Sequence, residues 1–274
     1  MKPQQVVKTT AAFLVTLGAI VLVGTWSTSP RVHAQNDQGD DEASLIRIGY
    51  QIAPVPLNLA GKDRDLVGLG SYLVNAAGDC NGCHTSGGPP NFNYANNKNP
   101  YFGQPEKVDP TTYLGGGSDF GPAVPPSAAV GGFPPGSEPP SYPPAEYGTY
   151  VGPDIIARNL TPDKTGRAEG GHTLAEFKEI IRTGKDFDHL HPTCTSALPT
   201  PTPANCLPPP VDGDLLQVMP WPTFKNMTDH QITAIYEYLS AIPCIEGPTD
   251  PNNVLHNDCG TEQKPPKPGS WKKQ

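Results

Sequence analysis

The sequence predicts a small all-α domain threaded by long Pro/Gly-rich loops. Three observations point there. Apolar residues recur at three- and four-residue intervals in three separate stretches. No stretch alternates apolar and polar side chains for long enough to compete as a strand. Pro (35 residues) and Gly (29) crowd the regions between, where they would break long helices and central strands.

The chain opens with the pattern of a secretory signal over 1–34. Lys2 and Lys8 are the positive start, Ala11 to Gly24 is an uncharged run, and Val32-His33-Ala34 is an A-x-A-like cleavage site. That run is shorter than the ~18 residues a spanning helix needs. Export with cleavage after Ala34 is expected, most simply to a periplasm. The alternative is a retained N-terminal membrane anchor, because Thr25 and Trp26 extend the apolar stretch. Residues 35–60 show no clear period and read as a linker.

The helices follow in order within a domain spanning 61–245. The first runs from about Asp63 to Ala77, with Leu66, Leu69, Leu73 and Ala76 at helical spacing. Gly70 shares a face with Leu66 and Leu73, so a second helix could approach closely there. Another starts at the capping box Thr173-Leu-Ala-Glu176, carries the stripe Leu174, Phe177, Ile180 and Ile181, and stops at Gly184. The last starts at the capping box Thr228-Asp-His-Gln231, carries Ile232, Ile235, Tyr236 and Leu239, and ends before Pro243. Between the first and second lies an insert, 85–150, with 14 Pro and 11 Gly in 66 residues. It reads as a long surface loop wrapped around the domain, or as a partly disordered one, and its aromatics argue for partial packing rather than a free linker. A second loop spans 185–215, and 246–274 is a tail, loose beyond Cys259.

The chemistry is concentrated in Cys80-Asn81-Gly82-Cys83-His84. This is the spacing of a covalent c-type haem site. Two thiols can add to the two vinyl groups of one porphyrin edge. The adjoining histidine is then held as an axial ligand to the iron. Cys and His are too scarce here, 6 and 7 of 274, for this spacing to arise readily by chance. A zinc site would need a second cysteine pair at similar spacing, and the sequence has none. Four further cysteines remain, Cys194, Cys206, Cys244 and Cys259. Four allow three pairings. Cys194–Cys206 and Cys244–Cys259 are favoured, because each closes a short Pro-rich segment in an oxidising compartment.

A second axial ligand is expected before the last helix. Met219, in Met219-Pro220-Trp221-Pro222, has a thioether suited to both oxidation states of iron and a turn stiffened by two prolines. Met227 precedes the N-cap Thr228, where an apolar residue staples onto its helix. His172, His189, His191, His230 and His256 are the rivals for bis-His ligation, and His189-Leu-His191 alone makes no metal site.

Together these residues resemble the monohaem class I cytochrome c family, in a bacterial form similar to the haem subunits of exported dehydrogenases. The resemblance rests on Gly70-Ser-Tyr72-Leu73-Val74 before the Cys80–Thr85 motif, on Ala157-Arg158-Asn159-Leu160-Thr161-Pro162-Asp163, on Thr173–Phe177 with Ile181–Gly184, and on Met219–Phe224 with Met227–Leu239. It covers about a third of the chain. It implies a class I cytochrome c-like helical haem domain. One haem c would be bound to Cys80 and Cys83, with iron between His84 and Met219. The first and last helices would cross near Gly70. The insert and the loop before Met219 depart from a minimal member, so no partner is implied.

The expected function is one-electron transfer, alone or as the non-catalytic haem subunit of a dehydrogenase or respiratory complex that can be membrane-associated. The alternative is a haem enzyme or gas sensor with an open distal site, which Met219 argues against. Loss of 1–34 removes three cations and no acid from a net charge of −8. Such a surface does not suit nucleic acid. It suits a redox partner with a basic docking patch.

Overall fold

The computed structural model describes residues 34–85, 103, 108–122, 152–195, 202–208 and 211–260, with side chains from 41 onward. The expected signal run, most of the 85–150 insert and the tail beyond 260 lie outside the described residues. The elements are α1 (Ala34–Ile52), α2 (Arg64–Tyr72), a π-helical turn (Leu73–Ala77), α3 (Cys80–His84), β1 (Asp119–Pro122), β2 (Asp154–Ile156), the single distorted turn α4 (Ala168–Gly171), α5 (Leu174–Thr183), α6 (Trp221–Phe224) and α7 (Asp229–Leu239). Among the described residues no helix is long and apolar enough to cross a membrane.

The core is built on α2, which packs against α1 on one side and α7 on the other. Asp63 caps α2 by accepting from the N–H groups of Asp65 and Leu66. The expected crossing at Gly70 is present: a Cβ there would lie 1.9 Å from the carbonyl oxygen of Ala234 in α7. Val67, Val74, Ile232 and Leu239 fill the interface and are inaccessible or nearly so. The capping boxes of α5 and α7 are both formed, and Gly184 ends α5 at φ 74°.

The expected linker over 35–60 is corrected: its first two-thirds, to Ile52, belong to α1, docked on α2. A Cβ on Gly49 would lie 1.9 Å from the carbonyl oxygen of Gly68, so two glycines let these helices touch backbone to backbone. Ser71 Oγ donates to the Gly49 carbonyl at 2.7 Å, and Tyr50 Oη to that of Arg64 at 2.8 Å. The Asn/Asp/Gln-rich start of α1 and its few apolar contacts leave no stripe to read.

Two further expectations change. Although no strand pattern stands out, β1 and β2 form an antiparallel pair, Asp119 opposite Ile156 and Pro122 opposite Asp154. Strands this short cannot display a period. The tail boundary at 245 also moves. Asn257, 2 % exposed, donates its amide to Thr161 Oγ1 at 3.0 Å and to the carbonyls of Pro162 and Ile245 at 3.2 Å. Residues 246–260 therefore belong to the body. The disulfides Cys194–Cys206 and Cys244–Cys259, with Cα separations of 4.8 and 5.6 Å, close the second loop and this last segment.

Candidate functional site

The π-helical turn ends at Gly78, whose N–H donates to the Leu73 carbonyl at 2.7 Å. Asp79 then takes a left-handed conformation, φ 45°, and turns the chain into α3. This short helix sets Cys80, Cys83 and His84 on the wall of a cavity of about 1280 Å³, its open mouth included. Apolar side chains, among them Leu73, Phe177, Ile181, Ile235 and Leu239, form most of that wall. Arg158, Glu169, Asp186 and His191 make one polar corner.

Cys80 and Cys83 are not disulfide-bonded. Burial, then the Asp79 and Cys83 charges, push the Cys80 thiol up to about 12. Burial and Asp79 raise Cys83 as well. A thiol–disulfide oxidoreductase needs the opposite, a thiol shifted down toward the thiolate. This environment keeps both sulfurs protonated and argues against that use of the CxxC.

His84 Nδ1 lies 2.8 Å from the carbonyl oxygen of Arg158. A carbonyl only accepts, so Nδ1 carries the proton and Nε2 is left with its lone pair. Burial holds the imidazole below the usual histidine range despite that bond. A neutral ring with one committed nitrogen is the form that binds a metal. The described part of the insert braces this contact. Gly116 N–H donates to the His84 carbonyl at 2.6 Å, Gly117 N–H to that of Ala157 at 2.9 Å, and Leu160 N–H to that of Leu114 at 2.9 Å. Ser118 Oγ donates to the Thr85 carbonyl at 3.0 Å. Tyr113, Leu114 and Ser118 are buried. Over 113–118 the insert packs against both α3 and the Arg158 segment, in keeping with the expected partial packing.

Met219 lines the same cavity. Its turn is pinned by Trp221, whose N–H donates to the Met219 carbonyl at 2.8 Å and whose Nε1 donates to that of Leu216 at 3.1 Å. Met227, expected as a packing residue, packs on the core and lines the cavity too. Among the rival histidines in the described residues, His191 alone shares the cavity lining. His189 pairs with Asp214 at 3.2 Å, His230 with Glu42 at 3.1 Å, and His256 Nδ1 lies 2.6 Å from the Pro248 carbonyl. His172 sits 3.9 Å from both Glu176 and Asp188. No group of three or more His, Cys, Asp or Glu side chains is gathered for a metal ion among the described residues.

Sequence reasoning missed the Arg158 contact, Glu169, Asp186 and the 114–118 brace. A backbone carbonyl has no side-chain signature, and the acids belong to no local motif. No family model, curated protein or solved structure matches the chain.

Proposed function

We propose that this protein is an exported one-electron carrier of class I cytochrome c type. Cys80 and Cys83 would hold one covalent haem c, with His84 and Met219 as the residues that would ligate its iron. The observation that supports this reading is the convergence of all four residues on one apolar cavity, with Nδ1 of His84 already committed to a carbonyl. The residues fit the group. Two sulfurs lie one helical turn apart, a neutral imidazole stands beside them, and a thioether lines the same cavity.

Bound there, haem would supply an iron centre that gains and loses one electron. The chain supplies the rest. Cys80 and Cys83 fix one porphyrin edge. The Arg158 carbonyl holds the His84 tautomer and orientation. Leu73, Phe177, Ile181, Ile235 and Leu239 exclude water, which favours the less charged state of a centre. The acidic surface would receive a partner with a basic patch, whether the carrier works alone or inside a dehydrogenase complex at a membrane.

Covalent attachment is tested on the full chain purified from an export-competent, haem-ligating host. Haem should stay with the polypeptide on a denaturing gel and give a c-type pyridine haemochrome. Release of the colour by acid-acetone overturns the assignment.

A further inference from the structure

Among the described residues Glu169 is a carboxyl of the cavity lining that forms no ion pair, as is Asp79 beside the two cysteines. Glu169 lines the wall that also carries His84. Its backbone is left-handed, φ 51° and ψ 55°, an unfavourable state for a residue with a Cβ. Three hydrogen bonds hold it there: Glu169 N–H to the Leu160 carbonyl at 3.1 Å, Gly170 N–H to that of Thr161 at 3.2 Å, and His172 N–H to that of Ala168 at 3.1 Å. The fold thus keeps this side chain at the cavity against local preference.

The charged groups facing it come from three segments. Among the described residues that act on it, Arg158, after β2, is the one permanent cation. Its guanidinium already pairs with Asp186 at 2.6 Å and also with Asp188, both on the loop after α5. His172, before α5, faces Asp188 and Glu176, and His191 lies further round the same corner. Three carboxyls therefore share one guanidinium, and two of them are paired with it. Among the described residues the Glu169 carboxyl has no hydrogen bond or ion pair. Glu169 is half-buried; what burial it has raises its proton affinity, and the charges of Asp188 and Asp186 add to this, against His172 and Arg158.

We propose that Glu169 is a proton-binding site linked to the electron, so that the protein exchanges a proton together with its electron. This rests on the haem reading above. With haem bound, one-electron reduction by a redox partner would remove one positive charge from the cavity. The Glu169 carboxylate then binds one proton from water and becomes a carboxylic acid. Oxidation reverses both steps, and no other bond changes. Coupling is reciprocal: whatever raises the proton affinity on reduction makes the potential depend on pH.

The test is the midpoint potential of the haem-loaded full chain against pH. Wild type should lose up to about 59 mV per pH unit between the ferric and ferrous pKa values of Glu169, the one-electron equivalent of a tenfold change. Glu169→Gln should flatten that segment, whereas His172→Asn and His191→Asn should keep it. Redox-difference infrared spectra of wild type give a second readout that needs no variant. Reduction should bring up a carboxylic C=O band that shifts in heavy water. A flat wild-type potential, an unchanged slope in Glu169→Gln, or no such band overturns the proposal. A chain without covalent haem on the gel overturns the haem reading instead, and is recognised before any titration.

Discussion

At the residue scale two thioethers could serve the proposed haem, because Met219 and Met227 both line the cavity. They differ in what holds them. Met219 stands in a turn fixed by Trp221, while Met227 packs on the core, donates its N–H to the Phe224 carbonyl at 2.9 Å, and its carbonyl accepts from Arg182 Nη1 at 2.5 Å. Met219→Ala should erase the weak far-red sulfur-to-iron band of the ferric protein, lower the potential and admit carbon monoxide to the ferrous form. Met227→Leu should leave that band and cost less than about 1.5 kcal/mol, since the swap conserves volume. The reverse pattern would exchange their roles. Ready binding of carbon monoxide by wild type would favour the open-site enzyme or sensor. The Cys80–His84 motif was legible because its chemistry is local. The polar corner was not. Glu169 stands out because Arg158, eleven positions earlier, is occupied by Asp186 and Asp188.

At the element scale α5 and α7 are joined end to start by Arg182. Its guanidinium reaches the carbonyls of Lys225 and Met227 and pairs with Asp229 at 2.6 Å. Arg182→Met should cost about 1–2 kcal/mol, because charge-assisted bonds to carbonyls are lost with it. The pH dependence follows from Asp229, whose carboxyl Arg182 and then Lys178 hold below the usual carboxylate range. A depressed acid contributes stability that is present above its unfolded pKa of about 3.9 and is lost as pH falls through the folded value. Acid melts of wild type should show this loss below about pH 4, and Arg182→Met should lose less of its own stability over that range. Equal acid losses in the two proteins would remove the ion pair from the account. These helices were legible because capping box, apolar stripe and stop signal agree in each. For α1 the decisive feature is the Gly49–Gly68 contact, a long-range fit that no local period announces.

At the scale of the whole molecule the Pro/Gly-rich insert joins the Cys80–His84 helix to the segment that orients His84. The contact is close enough to test with one methyl group. Gly116 has φ 78°, and a Cβ there would sit 2.6 Å from both the Ala157 carbonyl oxygen and the Arg158 carbonyl carbon. Those are backbone atoms, so relief requires the insert and the Arg158 segment to separate. Gly116→Ala should therefore destabilise by more than the ~1–2 kcal/mol of a left-handed alanine, adding an overpacking cost of about 1–3 kcal/mol. Gly121 supplies the control: its φ is 72°, yet nothing lies within 4 Å of its Cβ position. Gly121→Ala should show the conformational cost alone. Denaturant unfolding of the two variants against wild type measures the difference. The same comparison reaches the site, because moving the Arg158 carbonyl loosens its bond to His84 Nδ1. Gly116→Ala should then raise the potential of the haem-loaded protein, since a weaker acceptor makes the imidazole a poorer donor to ferric iron, while Gly121→Ala should leave it unchanged. Equal destabilisation with equal potentials would reduce the insert to a covering loop.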